Sequence, residues 1–318
     1  MTPQNPHSLL NWVFLIILGV IWGGSFMGAK LALTGFGPLT VSALRLVIAS
    51  TLLVSFAFIF RNGLPKWKTA TDKRIWLHIL GMGLLTNAIP FTLLNWGQLW
   101  ISSGFAGISM AVVPLLVLPL AHFLVAGDLM NRRKVLGFLI GFMGVVILIG
   151  PQSFIDTSGD PLEPLARLAC VGAACCYAIG SIITRRCPPV GLLSYSAAGL
   201  LVGTIGMVPV ALYFEGVPTI PDIQPALGIL YLGLFPTALA TIMLVNVINK
   251  AGPSFMSLVN YQVPIWAITF GVVFLGEKLP PSFLGALGLI LIGLGVSQLK
   301  KPLSFGSHRR NNITNHTP

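Results

Sequence analysis

Ten stretches of mainly apolar residues follow one another along the chain, broken by short polar segments, and this succession limits the fold more than any other feature. They fall at 10–30, 39–60, 75–98, 104–126, 135–150, 165–184, 192–213, 225–247, 254–275 and 282–299. A helix needs about 20 apolar residues to cross a bilayer, and most of the stretches approach that length. Backbone polar groups must be satisfied internally in lipid, and a helix does this within one segment. The expected fold is therefore an all-α polytopic membrane protein with ten transmembrane helices. Composition agrees, because only 8% of the residues are charged, whereas a soluble domain carries roughly 25%.

The net charge of +11 would suggest a nucleic-acid partner in a soluble protein. Position argues against that, because the basic residues gather in the breaks. With a cytoplasmic N-terminus, the inner loops hold Arg61, Lys66, Lys68, Lys73, Arg74, Arg132, Arg133, Lys134, Arg185, Arg186, Lys250, Lys300, Lys301, Arg309 and Arg310. These are fifteen of the nineteen Lys and Arg residues. Lys30, Arg167 and Lys278 fall outside, and Arg45 lies within the second stretch. The Lys/Arg bias of short loops sets orientation, so both termini are expected in the cytoplasm. Lys30 alone favours the opposite insertion of the first helix and must be outvoted by the loop from Lys66 to Arg74. The N-terminus, MTPQNPHSLLNW, has neither the basic region nor the cleavage site of a signal peptide, so its apolar stretch reads as a retained helix. Cys170, Cys175, Cys176 and Cys187 form no CxxC pair and have no histidines at metal spacing, so no metal or other cofactor is expected.

The second half echoes the first. Pro114 and Pro264 lie 150 positions apart, as do Gly83 and Gly233. Trp22 and Lys30 match Tyr177 and Arg185 at an offset of 155. Asp128 and Gly144 have the spacing of Glu277 and Gly293. A five-plus-five duplication follows, and because five is odd the second copy enters the membrane from the other side. The expected organisation is a tail at 1–9, a first repeat at 10–150, a periplasmic linker at 151–164, a second repeat at 165–299 and a tail at 300–318. Inverted repeats of this kind place a binding site near the bilayer midplane between the halves.

The segments WGGSFMGAKLAL and PLTVSALRL, the GD and GE turns after the fourth and ninth helices, and the glycine-rich fifth and tenth helices carry a resemblance over Leu10 to Leu299. The chain resembles bacterial members of the drug/metabolite transporter superfamily, of the ten-helix EamA type. The resemblance implies a cytoplasmic (inner) membrane protein that moves small metabolites, often exporting amino acids or related compounds. GEKLPPS in the second half departs from GDLMNRRK in the first, so the ninth-to-tenth turn is expected to differ.

Polar and aromatic residues within the stretches are the candidates for a substrate site. Arg45 lies about 10 Å along its helix from Pro38. It reads either as a charge facing an anion or carboxylate at the outer gate, or as a snorkelling anchor or a link to a backbone carbonyl. Ser257, Asn260, Tyr261 and Pro264 share one face at helical spacing, whereas Gly107, Met110, Ala111 and Pro114, their counterparts, are almost wholly apolar. Asn87, Phe91, Asn95 and Gln98 align on the third helix. For both faces the alternative is interhelical hydrogen bonding. Trp22, Trp96, Tyr177 and Trp266 are candidates for apolar walls. Pro114 and Pro264 are candidate gate hinges, since each removes a backbone donor and favours a kink. His122 reads as an interfacial histidine.

No Asp or Glu lies inside any stretch. A carboxylate proton relay is therefore not expected, and a lipophilic-cation exporter would lack its counter-charge. An intramembrane enzyme would need paired acids, a Ser/His couple or metal ligands at membrane depth, and none is present. A small-molecule substrate and the lipid bilayer are the expected partners. Glycines four apart (Gly19 with Gly23, Gly24 with Gly28, Gly137 with Gly141, Gly199 with Gly203) suit close helix packing, within the chain or in a homodimer. The sequons at Asn312 and Asn315 fall in the expected cytoplasmic tail and read as chance matches.

Overall fold

The computed structural model describes residues 9–60, 63–124, 130–150, 160–219, 222–251 and 257–298. Asp128, Asp156, the linker up to position 159 and the C-terminal tail lie outside the described residues, as do the Ser257 side chain and the expected N-terminal tail up to position 8.

Among the described residues the regular structure is all helical. The helices are α1 (Leu9–Ala32), α2 (Pro38–Ile59), α3 (Ala70–Gly97), α4 (Ser103–Leu124), α5 (Arg132–Ile149), α6 (Glu163–Arg185) and α7 (Leu192–Glu215). They continue as α8, in the consecutive pieces Ile223–Leu232, Gly233–Leu239 and Ala240–Ala251, then α9 (Val263–Leu275) after a 3₁₀ segment Ser257–Tyr261, and α10 (Pro281–Gln298). Seven spans, from α1 to α4 and α6 to α8, are long and apolar enough to cross a membrane. Helix α5 opens on Arg132, Arg133 and Lys134, and α9 and α10 are shorter. Phe123, Tyr213, Phe274 and Ile292 are exposed at 79%, 83%, 66% and 58%. A surface so apolar suits lipid, not water.

Equivalent helices of the two halves run antiparallel where they meet. Glu215 at the end of α7 reaches the start of α2, accepting from the backbone N–H groups of Leu39 and Thr40 at 2.9 and 2.8 Å. One half-helix further along, Thr204 Oγ1 bonds Ser50 Oγ at 3.0 Å. On α5 and α10, Gly137 meets Gly293 and Ser297, while Gly144 meets Ala286 and Ile290. Two copies inserted in opposite senses require this antiparallel pairing. The remaining helices exchange partners: α1 packs on α8 and α9, and α6 packs on α3 and α4.

Glycine permits these approaches. A Cβ on Gly137 would lie 2.3 Å from the Gly293 carbonyl oxygen, and one on Gly293 would lie 2.4 Å from that of Gly137. Gly19 and Gly23 face Gln262 and Trp266, Gly24 and Gly28 face Tyr231, and Gly199 and Gly203 face Met82 and Gly83. The small-residue spacing thus serves packing within the chain.

The expected start of the third helix, near residue 75, moves to Ala70. Thr69 and Asp72 form a reciprocal capping box, which satisfies backbone donors at the helix start and draws a polar turn into the helix.

Candidate substrate-binding site

Both α3 and α8 widen at equivalent places. Gly83–Ala88 and Gly233–Leu239 are π segments, a turn type often found at functional sites. Pro236 cannot donate to Leu232, and the Thr237 hydroxyl supplies that carbonyl with a bond of 2.8 Å instead. At the matching place, Asn87 Nδ2 donates to the Met82 carbonyl at 3.2 Å. Asn87 and Thr237, like Gly83 and Gly233, lie 150 positions apart. The duplication therefore extends to the hydrogen bonds that satisfy the loosened backbone.

The two loosened helices flank a cavity of about 330 Å³, within the size range of small-molecule sites. Trp22, Ser25, Phe26 and Ala29 line it from α1, and Arg45 from α2. Helix α3 contributes Met82, Thr86, Asn87, Phe91, Leu94 and Asn95, followed by Gln98 just past its end, α4 contributes Met110 and Val113, and α6 and α7 contribute Tyr177 and Ser196. The wall is completed by Pro236, Thr237, Thr241, Leu244, Asn260 and Val263. Both halves thus supply the lining, and among the described residues it contains no Asp or Glu. Trp22 and Tyr177, equivalent residues, stand on the same cavity.

Arg45 is 8% exposed. Its Nε donates to Thr237 Oγ1 at 2.7 Å, and its guanidinium carbon lies 3.8 Å from the centre of the Phe91 ring. The arginine therefore turns inward, and the snorkelling alternative does not describe it. Trp22 Nε1 donates to the Pro236 carbonyl at 3.1 Å, so the indole also joins the halves. Asn95 Nδ2 donates to Ser42 Oγ at 2.8 Å, which places Asn95 in an interhelical bond as well as on the cavity.

One end of the bundle is tied by polar contacts. Glu277 accepts from the N–H groups of Ser103 and Gly104 at the start of α4, at 2.7 and 3.0 Å, and from Ser103 Oγ at 3.0 Å. Carboxylates favour helix N-termini because free N–H groups point at them. Lys30 Nζ donates to the carbonyls of Gln98 and Ile101 where α3 ends. Arg167 pairs with Glu163 at 2.5 Å and donates to the Ile149 carbonyl at 3.1 Å. At the opposite end, His122 Nδ1 accepts from the Met130 N–H at 3.1 Å, a local backbone contact.

Of the residues expected at the site, Trp22, Arg45, Asn87, Asn95, Tyr177 and Asn260 line the cavity. Trp96, Tyr261 and Trp266 are not in its lining. Trp96 packs partly buried on the main apolar core, and Trp266 stacks on Phe270 at 6.0 Å with its Cβ against Gly23. The face expected on the ninth helix divides: Asn260 is in the lining and Tyr261 is not, and Ser257–Tyr261 is a 3₁₀ turn. The break lies just ahead of Pro264, and α4 breaks at Met110 and Ala111 ahead of Pro114. Met110 and Asn260, four residues before the two prolines, both line the cavity. Gln98 and Phe91 fell on the expected third-helix face. Ser25, Thr86, Ser196, Thr237 and Thr241 were missed. For Thr237 the signal was its equivalence to Asn87.

The EamA-like transporter family matches residues 10–150 and 165–298. The chain belongs to the EamA-like transporter family, and it is a multi-pass membrane transporter and not an enzyme. It is 26% identical over 300 residues to an uncharacterized transporter of Archaeoglobus fulgidus, covering 92% of this chain and 99% of that protein. The uncharacterized inner membrane transporter YedA of Escherichia coli K12 is 25% identical, over 91% of this chain and 90% of its own length. An S-adenosylmethionine/S-adenosylhomocysteine transporter of Chlamydia trachomatis serovar D is 25% identical over 88% of this chain and 87% of its own. A crystal structure superposes with a TM-score of 0.64 at 19% identity, covering 91% of this chain and 97% of that one, and this likeness concerns the fold.

Proposed function

We propose that the protein is a secondary transporter of the inner membrane, with ten membrane-spanning helices, that exports or exchanges small metabolites such as amino acids by alternating access. The observation that carries the reading is the cavity shared by the two halves, mixed polar and aromatic in lining, with one cation and no acid among the described residues. Amides and hydroxyls there suit a polar, uncharged or zwitterionic solute better than a polycation. Helices α5, α9 and α10 complete ten spans, because each packs as the partner or counterpart of an apolar helix and exposes large hydrophobics. Both termini face the cytoplasm on the loop-charge argument. The end tied by Glu277, Lys30 and Arg167 is then the outer end. Pro114 and Pro264 serve as hinges, since the helix breaks ahead of both adjoin the cavity.

Counterflow in proteoliposomes tests this. Vesicles loaded with unlabelled amino acids should accumulate the labelled compound from outside, without an imposed gradient. S-adenosylmethionine belongs in the panel because a relative is named for it. Exchange of other metabolites but no amino acid would leave a transporter with a different substrate. No exchange across the panel would refute transport of these solutes.

A further inference from the structure

Arg45 leaves the cavity wall chemically incomplete. Buried charges are normally paired or fully hydrogen-bonded, and the neighbouring cations obey this. Lys30 meets two backbone carbonyls, and Arg167 meets a carboxylate and a carbonyl. Arg45 is as deeply placed, yet only Nε has a hydrogen-bond partner, Thr237. The four N–H donors on its two terminal nitrogens meet no protein acceptor among the described residues. Among the described residues no acid lines the cavity to balance the charge.

The wall thus offers a solute the unused donors of Arg45.

We infer that the cavity binds a solute with one carboxylate, held by the two terminal nitrogens of Arg45. This rests on the transport reading and names its substrate class. The planar guanidinium fork matches a carboxylate in two parallel bonds. Phe91 covers one face of the guanidinium, so hydrogen-bond partners meet it through its in-plane N–H groups. One cation balances one monoanion, whereas a phosphate dianion would leave excess charge and a purely cationic solute would meet repulsion.

Matched probes differing only in the carboxylate test this without a mutation. L-tyrosine is compared with tyramine, and 6-aminohexanoate with pentylamine, with phenyl phosphate as the phosphate arm. Thermal stabilisation of the purified protein reads binding, and proteoliposome counterflow reads transport. The acid of each pair should bind at least tenfold more tightly than its amine and than phenyl phosphate. Arg45→Gln should abolish that preference, and Arg45→Lys should restore part of it. Amines binding as well as acids, phosphate binding better than carboxylate, or full carboxylate binding by a folded Arg45→Gln would each overturn the inference. Failure of every probe to bind would also overturn it. Should Arg45→Gln not fold, the wild-type pairs decide. Arg45-dependent carboxylate binding without counterflow would sustain this site and refute transport of these solutes. Counterflow without carboxylate preference would do the reverse.

Discussion

Arg45 of the first half donates from Nε to the Thr237 hydroxyl of the second at 2.7 Å, and the same hydroxyl satisfies the Leu232 carbonyl freed by Pro236. One side chain therefore holds a buried cation and repairs a loosened helix. Thr237→Val removes both bonds at nearly unchanged volume. A hydrogen bond to a charged group contributes about 1.5–3 kcal/mol, so this variant should lower the apparent melting temperature in detergent by several degrees and weaken solute binding. Thr237→Ser should behave as wild type. Equal stability of Val and Ser variants would contradict the role.

Trp22 and Trp266 distinguish cavity from packing. Trp22→Phe keeps a ring and loses the bond to the Pro236 carbonyl, worth about 1 kcal/mol, at a residue on the lining. Its transport KM should rise severalfold. Trp266→Phe, off the lining, should leave KM unchanged and alter stability alone. Titrating uptake against solute concentration in both variants checks this.

Glycine substitutions separate tight contacts from open ones. Gly293→Ala drives a methyl to 2.4 Å from the Gly137 carbonyl, and such overpacking costs about 1–3 kcal/mol. Gly285, on the same helix, has nothing within 4 Å of an added Cβ. Gly285→Ala should be neutral or slightly stabilising, because glycine within a helix costs roughly 0.5–1 kcal/mol relative to alanine. Melting temperatures of the two proteins should therefore move in opposite directions.

The contacts of Glu277 and Lys30 tie the end of the bundle assigned to the outside. Glu277→Gln should weaken the cap on α4, and Lys30→Met should release the carbonyls of Gln98 and Ile101. Either change should favour opening at that end. A cysteine placed at Ala29, buried at 3% exposure, should then react faster with a membrane-impermeant maleimide added outside. An unchanged rate in both variants would argue that these contacts do not form a gate.

Helix positions were legible because a 20-residue apolar stretch has few alternatives in lipid. The repeat was legible because Gly83 and Gly233, or Pro114 and Pro264, keep one offset. Trp22, Arg45, Asn87, Asn95, Tyr177 and Asn260 could be placed on the cavity because polar or aromatic groups at membrane depth are costly or unusual. The division of the ninth-helix face was not legible, because α spacing was assumed through Ser257–Tyr261, which is a 3₁₀ turn. Thr237 escaped notice since a single threonine in an apolar helix commonly bonds its own backbone. Only its place beside Pro236 and opposite Arg45 gives it a second task.

The central claim, that solute passes through the shared cavity, is tested most directly by filling it. Met110 lines the cavity, whereas Val273 is 66% exposed on the outer face of α9. Counterflow is measured for Met110→Trp and Val273→Trp, both reconstituted at equal amounts after a check of folding by size exclusion. The account predicts loss of exchange in Met110→Trp and wild-type exchange in Val273→Trp. A folded Met110→Trp protein that exchanges solute at the wild-type rate would contradict it.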